Sequence, residues 1–346
     1  MLDNPVIVLG APRSGTTWVG KIFDSHPDVL YRHEPDLVLR EARLPWTVPD
    51  EEMAACLPLA REYLQRLLRT PTLKSAGQLP LFPKNYHFAG ARQLRGGIIA
   101  TLKIIEAATG SRRLRSYRVP DLVRPDRHPT LRPVMKSVTA QGLAGLFAAA
   151  CPDARLVLVL RHPCGQISST MRGRREKRFE SGVAPAGILA IPLARKYGLT
   201  ERQLKAASRI ELHAWQWVVS TETAVQALDG RPNSRLLVYE ELCREPIAGA
   251  RTLFAFCGLD WNTQTETFIG ESTTDGTTER YYGVVRDPLA AANRWRTELE
   301  EDDQRTIIDI VGRTPLAKYW PETAAAALPQ RDRQPGSSSK AAVGSQ

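Results

Sequence analysis

The sequence predicts an α/β fold, a mostly parallel central sheet flanked by helices, and two observations carry that prediction. Short continuous apolar runs recur along the chain, each suited to a strand buried on both faces and each followed by a stretch of helical periodicity. The first run also leads straight through a Gly- and Pro-containing loop into a helix, the order of a phosphate-binding strand, loop and helix.

Val6-Ile7-Val8-Leu9 is the first strand, and Gly10-Ala11-Pro12-Arg13-Ser14-Gly15 is the loop. Trp18, Val19, Ile22 and Phe23 then share one helical face before Pro27 stops the helix. Residues 40–133 are rich in Pro, Arg and Gly; helices over Glu51–Leu68 and Gly97–Thr109 make this region a helical cap over the sheet. Strands return at Pro133–Val138 and Arg155–Leu160, separated by a helix that holds Leu143, Leu146, Phe147 and Ala150. Ile210, Ala214, Trp217, Val218, Val225 and Leu228 form one long amphipathic helix. Arg235–Tyr239 is a fourth strand, followed by a helix over Ile247–Phe256. Residues 1–320 thus read as a single domain, and the Ala-, Gln-, Pro- and Ser-rich residues 321–346 as a disordered tail.

Composition narrows the function classes. No apolar run approaches the roughly 18 to 20 residues of a membrane span, and Met1–Pro5 has neither the basic region nor the cleavage site of a signal peptide. Five scattered cysteines without metal-ligand spacing read as reduced thiols of a cytoplasmic protein. The formal net charge of +10 favours an anionic partner: a nucleotide, a sulfated or phosphorylated glycan, an acidic membrane or nucleic acid. An arginine-rich surface without a partner gives the same count.

Gly10, Gly15 and Thr17 hold the Walker A spacing, but Thr16 stands where the lysine belongs. A loop of this kind binds a phosphate through backbone amides and the helix dipole, yet lacks the side chain that grips a triphosphate. A plain glycine turn between strand and helix is the alternative. Ala11-Pro12-Arg13-Ser14-Gly15-Thr16-Thr17-Trp18 resembles the 5′-phosphosulfate loop of sulfotransferases that use 3′-phosphoadenosine 5′-phosphosulfate (PAPS). Arg161-His162-Pro163-Cys164-Gly165-Gln166-Ile167-Ser168-Ser169, after a strand, resembles that family's 3′-phosphate loop. There a strand-end arginine and a serine seven or eight residues later clamp the phosphate, which implies Arg161 with Ser168 or Ser169 here. The resemblance further implies a P-loop-NTPase-like fold, Trp18 and Tyr239 (in Tyr239-Glu240-Glu241-Leu242) near the adenine, and Arg294-Trp295-Arg296 closing over the cofactor.

Sulfuryl transfer needs cations around the transferred group and a base for the acceptor proton. Arg13 and Lys136 are the expected cations. In carbohydrate-type and bacterial members a glutamate at a similar Glu-Pro is the proposed base, which implies Glu34; burial would have to raise it from its ordinary value near ~4.3. His33 is the competitor, with an ordinary value near ~6.5. Cytosolic hormone-type members of that family place a catalytic histidine just after the lysine strand; Lys136 is followed by Ser137-Val138-Thr139, a departure that speaks against a small-phenol or steroid acceptor. A carbohydrate or glycolipid acceptor is therefore expected, with a lipid or secondary metabolite as the alternative, and no metal and no nucleic acid. The run Arg172–Arg178 either greets an anionic acceptor or is a solvated face, and peripheral membrane contact stays open. A P-loop kinase fits poorly, since the strands end in Lys136, Arg161 and Tyr239 rather than in a Mg²⁺-binding aspartate; a non-catalytic nucleotide binder remains the other alternative.

Overall fold

The computed structural model describes residues 4–176, 182–273 and 287–326. Strands β1 (Val6–Gly10), β2 (Val29–His33), β3 (Arg132–Ser137), β4 (Arg155–Leu160) and β5 (Ser234–Val238) form one parallel sheet in the order β2-β3-β1-β4-β5. The α/β expectation is met. Val6 pairs with Val134 on one side and Arg155 on the other, so β1 occupies the centre.

Alternation along the strands divides the interior. Ile7, Leu9, Met135, Leu156 and Leu158 face a core with helices α2 (Asp50–Arg69), α5 (Ala144–Ala150), α10 (Arg209–Leu228) and α16 (Glu301–Gly312). The remaining helices are α3 (Leu73–Ala76), α4 (Ala91–Thr109), α6 (Pro163–Arg175), α7 (Pro185–Leu189), α8 (Leu193–Lys196) and α9 (Glu201–Ala206), with α11 (Tyr239–Arg244) following β5 and α14 (Pro288–Asn293) and α15 (Trp295–Glu298) preceding α16. Val6, Val8, Val134, Val157 and Val159 point the other way, onto α1 (Thr16–Ser25), α12 (Pro246–Cys257) and α13 (Thr263–Thr273). Both faces of the sheet are therefore covered, which is why β1 and β4 read as unbroken apolar runs. Helix α10 starts where its sequence says it should: Ser208 and Glu211 form a reciprocal capping box.

Three expectations change. Val29–His33 is a fifth strand beside the four expected; Arg32, its fourth residue, obscures the apolar pattern, and the strand can bury that arginine because Asp121 receives it bidentately. Helix α2 is not part of a cap, since Leu64, Leu67 and Leu68 belong to the sheet's own core; residues 70–131 instead wrap the edge strand β2, where Leu30 meets Tyr86 and Leu131. The tail begins later than expected. Pro321–Ala326 is helix α17, with Thr323 buried and its hydroxyl donated to the Ala317 and Trp320 carbonyls, and residues 327–346 lie outside the described ones.

A buried charge cluster ties this wrapping segment to α1. Lys21, fully buried, lies 2.6 Å from Asp24 and donates to the carbonyls of Gln78 and Pro80 at 2.7 and 2.9 Å. Lys84 reaches the same carboxylate at 3.2 Å and donates to the carbonyls of Asp24, His26 and Val29. Burial alone would raise the Asp24 pKa, but the two ammonium groups hold it below the usual carboxylate range. Asp24→Asn keeps the shape and leaves two cations uncompensated, so it should lower the unfolding free energy in urea by about 3 to 5 kcal/mol. A loss within error would mean that water, not Asp24, compensates the lysines.

Candidate functional site

Every candidate group of the central strands lies at their carboxyl ends, where ligands bind in open α/β sheets. The loop after β1 is shaped by close packing. Gly15 has φ +91°, and a Cβ there would come within 2.2 Å of the Tyr239 ring. A Cβ on Gly10 would meet Ser14 Oγ and the Val159 carbonyl, both at 2.7 Å. Arg13 also takes a positive φ, of 72°. Ser14 is buried beneath the loop, and its hydroxyl has no hydrogen-bond partner among the described residues. Thr16 opens α1, whose first amides have no carbonyl within the helix to bind. This is a cradle for an anion.

On one side of the cradle stands a charged cluster. His33 pairs with Lys136 across the β2–β3 ladder, and Glu34 extends it by donating its own amide to the Lys136 carbonyl at 2.7 Å. Glu34 then turns into the left-handed region, φ 48°, a conformation costing about 1 to 3 kcal/mol for a non-glycine residue. That turn brings its carboxylate to two cations: Lys136 Nζ at 2.5 Å and Lys74 Nζ, from α3, at 2.7 Å. Lys136 also donates to Thr17 Oγ1 at 3.3 Å, joining the cluster to the cradle. Burial tends to raise the Glu34 pKa, yet Lys136, His33 and Lys74 together hold it well below the usual range. The expected upward shift is thus absent while these pairs are intact. His33 is pushed well below its ordinary value by burial and by Lys136, so it is neutral at pH 7; its Nδ1 lies 3.3 Å from the Tyr31 hydroxyl.

On the other side, Arg13 Nε donates to Ser169 Oγ at 3.0 Å, while Arg161 donates to the Arg13 and Ala291 carbonyls at 2.9 and 2.8 Å. The Arg161 guanidinium lies 5.3 Å above the Tyr239 ring, and that ring meets Trp18 edge-on with centroids 6.1 Å apart. Arg13, Trp18, Arg161, Ser169 and Tyr239 are therefore gathered in one place. Ser168 is turned away, donating to Glu298 at 2.7 Å.

The C-terminal trio packs against the second loop. Trp295 is buried and stacks on His162 at 4.4 Å, Arg296 lies over the outer face of Trp295 and pairs with Glu322, and Arg294 is exposed. Arg172 pairs with Glu298 and Arg174 contacts the His213 ring, so two of the five basic residues of the run are tied into the fold; residues 177–181 lie outside the described ones. Sequence reasoning missed Lys74, which sits inside a Thr72/Ser75 capping box with nothing to mark it. It also missed Asp36, which accepts from the Ser137 hydroxyl at 2.6 Å and from Thr139, and whose pKa burial pushes up. Among the described residues no three His, Cys, Asp or Glu side chains are grouped to hold a metal ion, and no helix is long and apolar enough to cross a membrane.

Residues 5–263 match the model of the sulfotransferase family. Carbohydrate sulfotransferase 6 of Homo sapiens is 25% identical over 335 residues, covering 91% of this chain and 80% of its own. Carbohydrate sulfotransferase 1 of Danio rerio is 24% identical over 319 residues, covering 86% and 73%. Among solved structures, a mouse sulfotransferase complexed with PAP aligns over 94% of this chain and 88% of its own, at 11% identity and a TM-score of 0.42.

The cradle's shape is open to a direct check. Gly15→Ala places a methyl against the Tyr239 ring at a positive φ, and should lower stability by about 2 kcal/mol or more. Gly97→Ala, with open space around its Cβ, is the control and should leave the melting temperature unchanged or raised. Equal melting temperatures for the two variants would mean that Tyr239 does not pack on the loop.

Proposed function

This chain belongs to the sulfotransferase family, and from that premise we propose that it carries a sulfuryl group from PAPS to a carbohydrate hydroxyl. The observation that carries this reading is the pair of clusters on either side of one phosphate loop: Lys136, Thr17, Glu34 and Lys74 on one, Arg13, Arg161 and Ser169 on the other. A nucleotide with anions at both its 5′ and 3′ positions needs two such sites, whereas a nucleoside triphosphate needs one. The orphaned Ser14 hydroxyl and the loop amides suit the 5′ phosphosulfate, and the edge-on Trp18–Tyr239 pair supplies an aromatic wall for a base.

In this reading Lys136 holds the sulfuryl oxygens, while Arg13, expected beside them, is directed by its bond to Ser169 toward the 3′ phosphate and holds it with Arg161 and Ser169. The acceptor oxygen forms a bond to sulfur as the bond from sulfur to the phosphate oxygen breaks, and the acceptor proton passes to Glu34. The depressed pKa of Glu34 then has a purpose. An arriving sulfonate competes for Lys136, and a lysine that turns to it releases Glu34 toward its ordinary, more basic range. The base is thereby switched on by the donor. Glu34 exposes 13% of its side chain against 6% for His33, which makes it the more accessible of the two to an acceptor hydroxyl. The carbohydrate acceptor rests on the relatives, which are named for that activity.

Two experiments test this. Arg161→Ala or Ser169→Ala should weaken binding of adenosine 3′,5′-bisphosphate, by roughly 2 to 4 kcal/mol for the arginine, with little effect on adenosine 5′-phosphosulfate; Ser168→Ala should leave both alone. Equal losses for the two nucleotides would remove the 3′-phosphate assignment. Glu34→Gln should lower kcat about 10² to 10⁴-fold with donor affinity nearly unchanged. If His33→Ala loses that factor and Glu34→Gln does not, the base is His33.

A further inference from the structure

The chain's charge and its exposed apolar surface are concentrated in the same stretch. Residues 79–118 hold eight lysines and arginines against one acid, Glu106, and so carry seven of the ten net positive charges of the whole sequence. The same stretch holds Leu79, Phe88, Leu94, Ile104, Ile105 and Tyr117, six of the nine large apolar side chains exposed among the described residues. Nothing about the sheet or the candidate site calls for this combination.

Helix α4 is the centre of it. Of its 19 residues only Ala91 and Ile99 are buried. Leu94, Thr101, Ile105 and Ala108, spaced i, i+7, i+11 and i+14, therefore form an exposed stripe along one face, with Ile104 beside it at 69% exposure. The helix is nonetheless firmly seated. Ile98, Ile99 and Leu102 pack with Leu73, Leu81, Leu114 and Val119 in a small core of their own, Arg95 donates to the Ala76 carbonyl at 2.7 Å, and Glu106 pairs with Arg115. Arg92 at the start of α4, and Arg112, Arg113, Arg115 and Arg118 just beyond its end, are all exposed.

An exposed apolar helix face set among cations, with almost no acids, has the chemistry of a helix that lies in the interface of an anionic bilayer. We propose that residues 79–118 dock this protein on anionic lipid surfaces, α4 lying along the membrane with its arginines on the headgroups. A soluble polyanion would engage the arginines and have no use for Leu94 or Ile104. Association with a second copy would bury the stripe but bring like charges together, at a cost. Because α3, which carries Lys74, is bonded to α4 through Arg95 and Ala76, the docked protein would hold its charged cluster close to that surface.

Co-sedimentation of the full chain with vesicles tests this without reference to activity. The protein should pellet with phosphatidylglycerol/phosphatidylcholine vesicles, not with phosphatidylcholine alone, and less as salt rises. Leu94→Ser/Ile104→Ser should weaken vesicle binding at least about tenfold, and Arg112→Ser/Arg113→Ser by a similar factor; all four positions are exposed, and unchanged melting temperatures verify that the variants are folded. Failure of the wild type to pellet would overturn the proposal. So would full binding by the Leu94/Ile104 variant, which would reduce the surface to a polyanion site. Concentration-dependent dimerisation without lipid, abolished by the same variant, would assign the stripe to a second copy instead.

Discussion

The burial of Lys136 is the constraint around which the functional end of this molecule is arranged. A lysine on an inner strand, almost wholly inside the protein, is tolerated only with a counter-charge at contact distance. Glu34 is that counter-charge, and it reaches Lys136 because β2 pairs with β3 in a register that sets His33 beside the lysine and leaves Glu34 one step beyond. The left-handed turn at Glu34, the Lys74 contact from outside the sheet and the Thr17 contact from the cradle all converge on this pair. Burial, charge and backbone conformation are here one arrangement seen from three sides.

Much of this was legible in the sequence, and the reasons are specific. Strands β1 and β4 announce themselves because both faces of the sheet are covered and their side chains are nearly all apolar, and β3 and β5 through the shorter runs Pro133–Met135 and Leu236–Val238. The two loops were found through residue types at fixed spacing after strands. What stayed hidden was what depends on partners distant in the chain. Arg32 makes β2 look like a polar connection until Asp121, far along the sequence, is seen to accept it. Lys74 has no local signature. Ser168 and Ser169 are equivalent on paper, and only the rotation of α6 sends one to Glu298 and the other to Arg13. Trp295 matched a pattern associated with cofactor closure, and nothing in the sequence shows that its ring stacks on His162 of the second loop.

The distribution of charge follows a similar logic. A uniform excess of arginine would say little, but most of the excess lies in the segment that wraps the edge strand and hardly any in the covering helices. An edge strand exposes unpaired amides and carbonyls, which natural proteins cover or protect with charge. The wrapping segment covers β2 with Tyr86, Asn85 and the Lys84 contacts to Val29 and His26, so its inner side serves the sheet and its outer side is free for other uses.

The strand order also bears on how the chain folds. Val6 finds one partner at Val134 and the other at Arg155, and of the paired strands the two least separated in sequence, β4 and β5, join Leu156 to Ser234. Every pairing in the sheet therefore waits on distant chain, the topology associated with slow folding. During synthesis at about 5 to 20 residues per second, β1 would precede its first partner, β3, by roughly 6 to 26 seconds. For that interval Val6-Ile7-Val8-Leu9 is a bare apolar strand with both edges open, and its safekeeping falls to the chaperones of the cell that makes it.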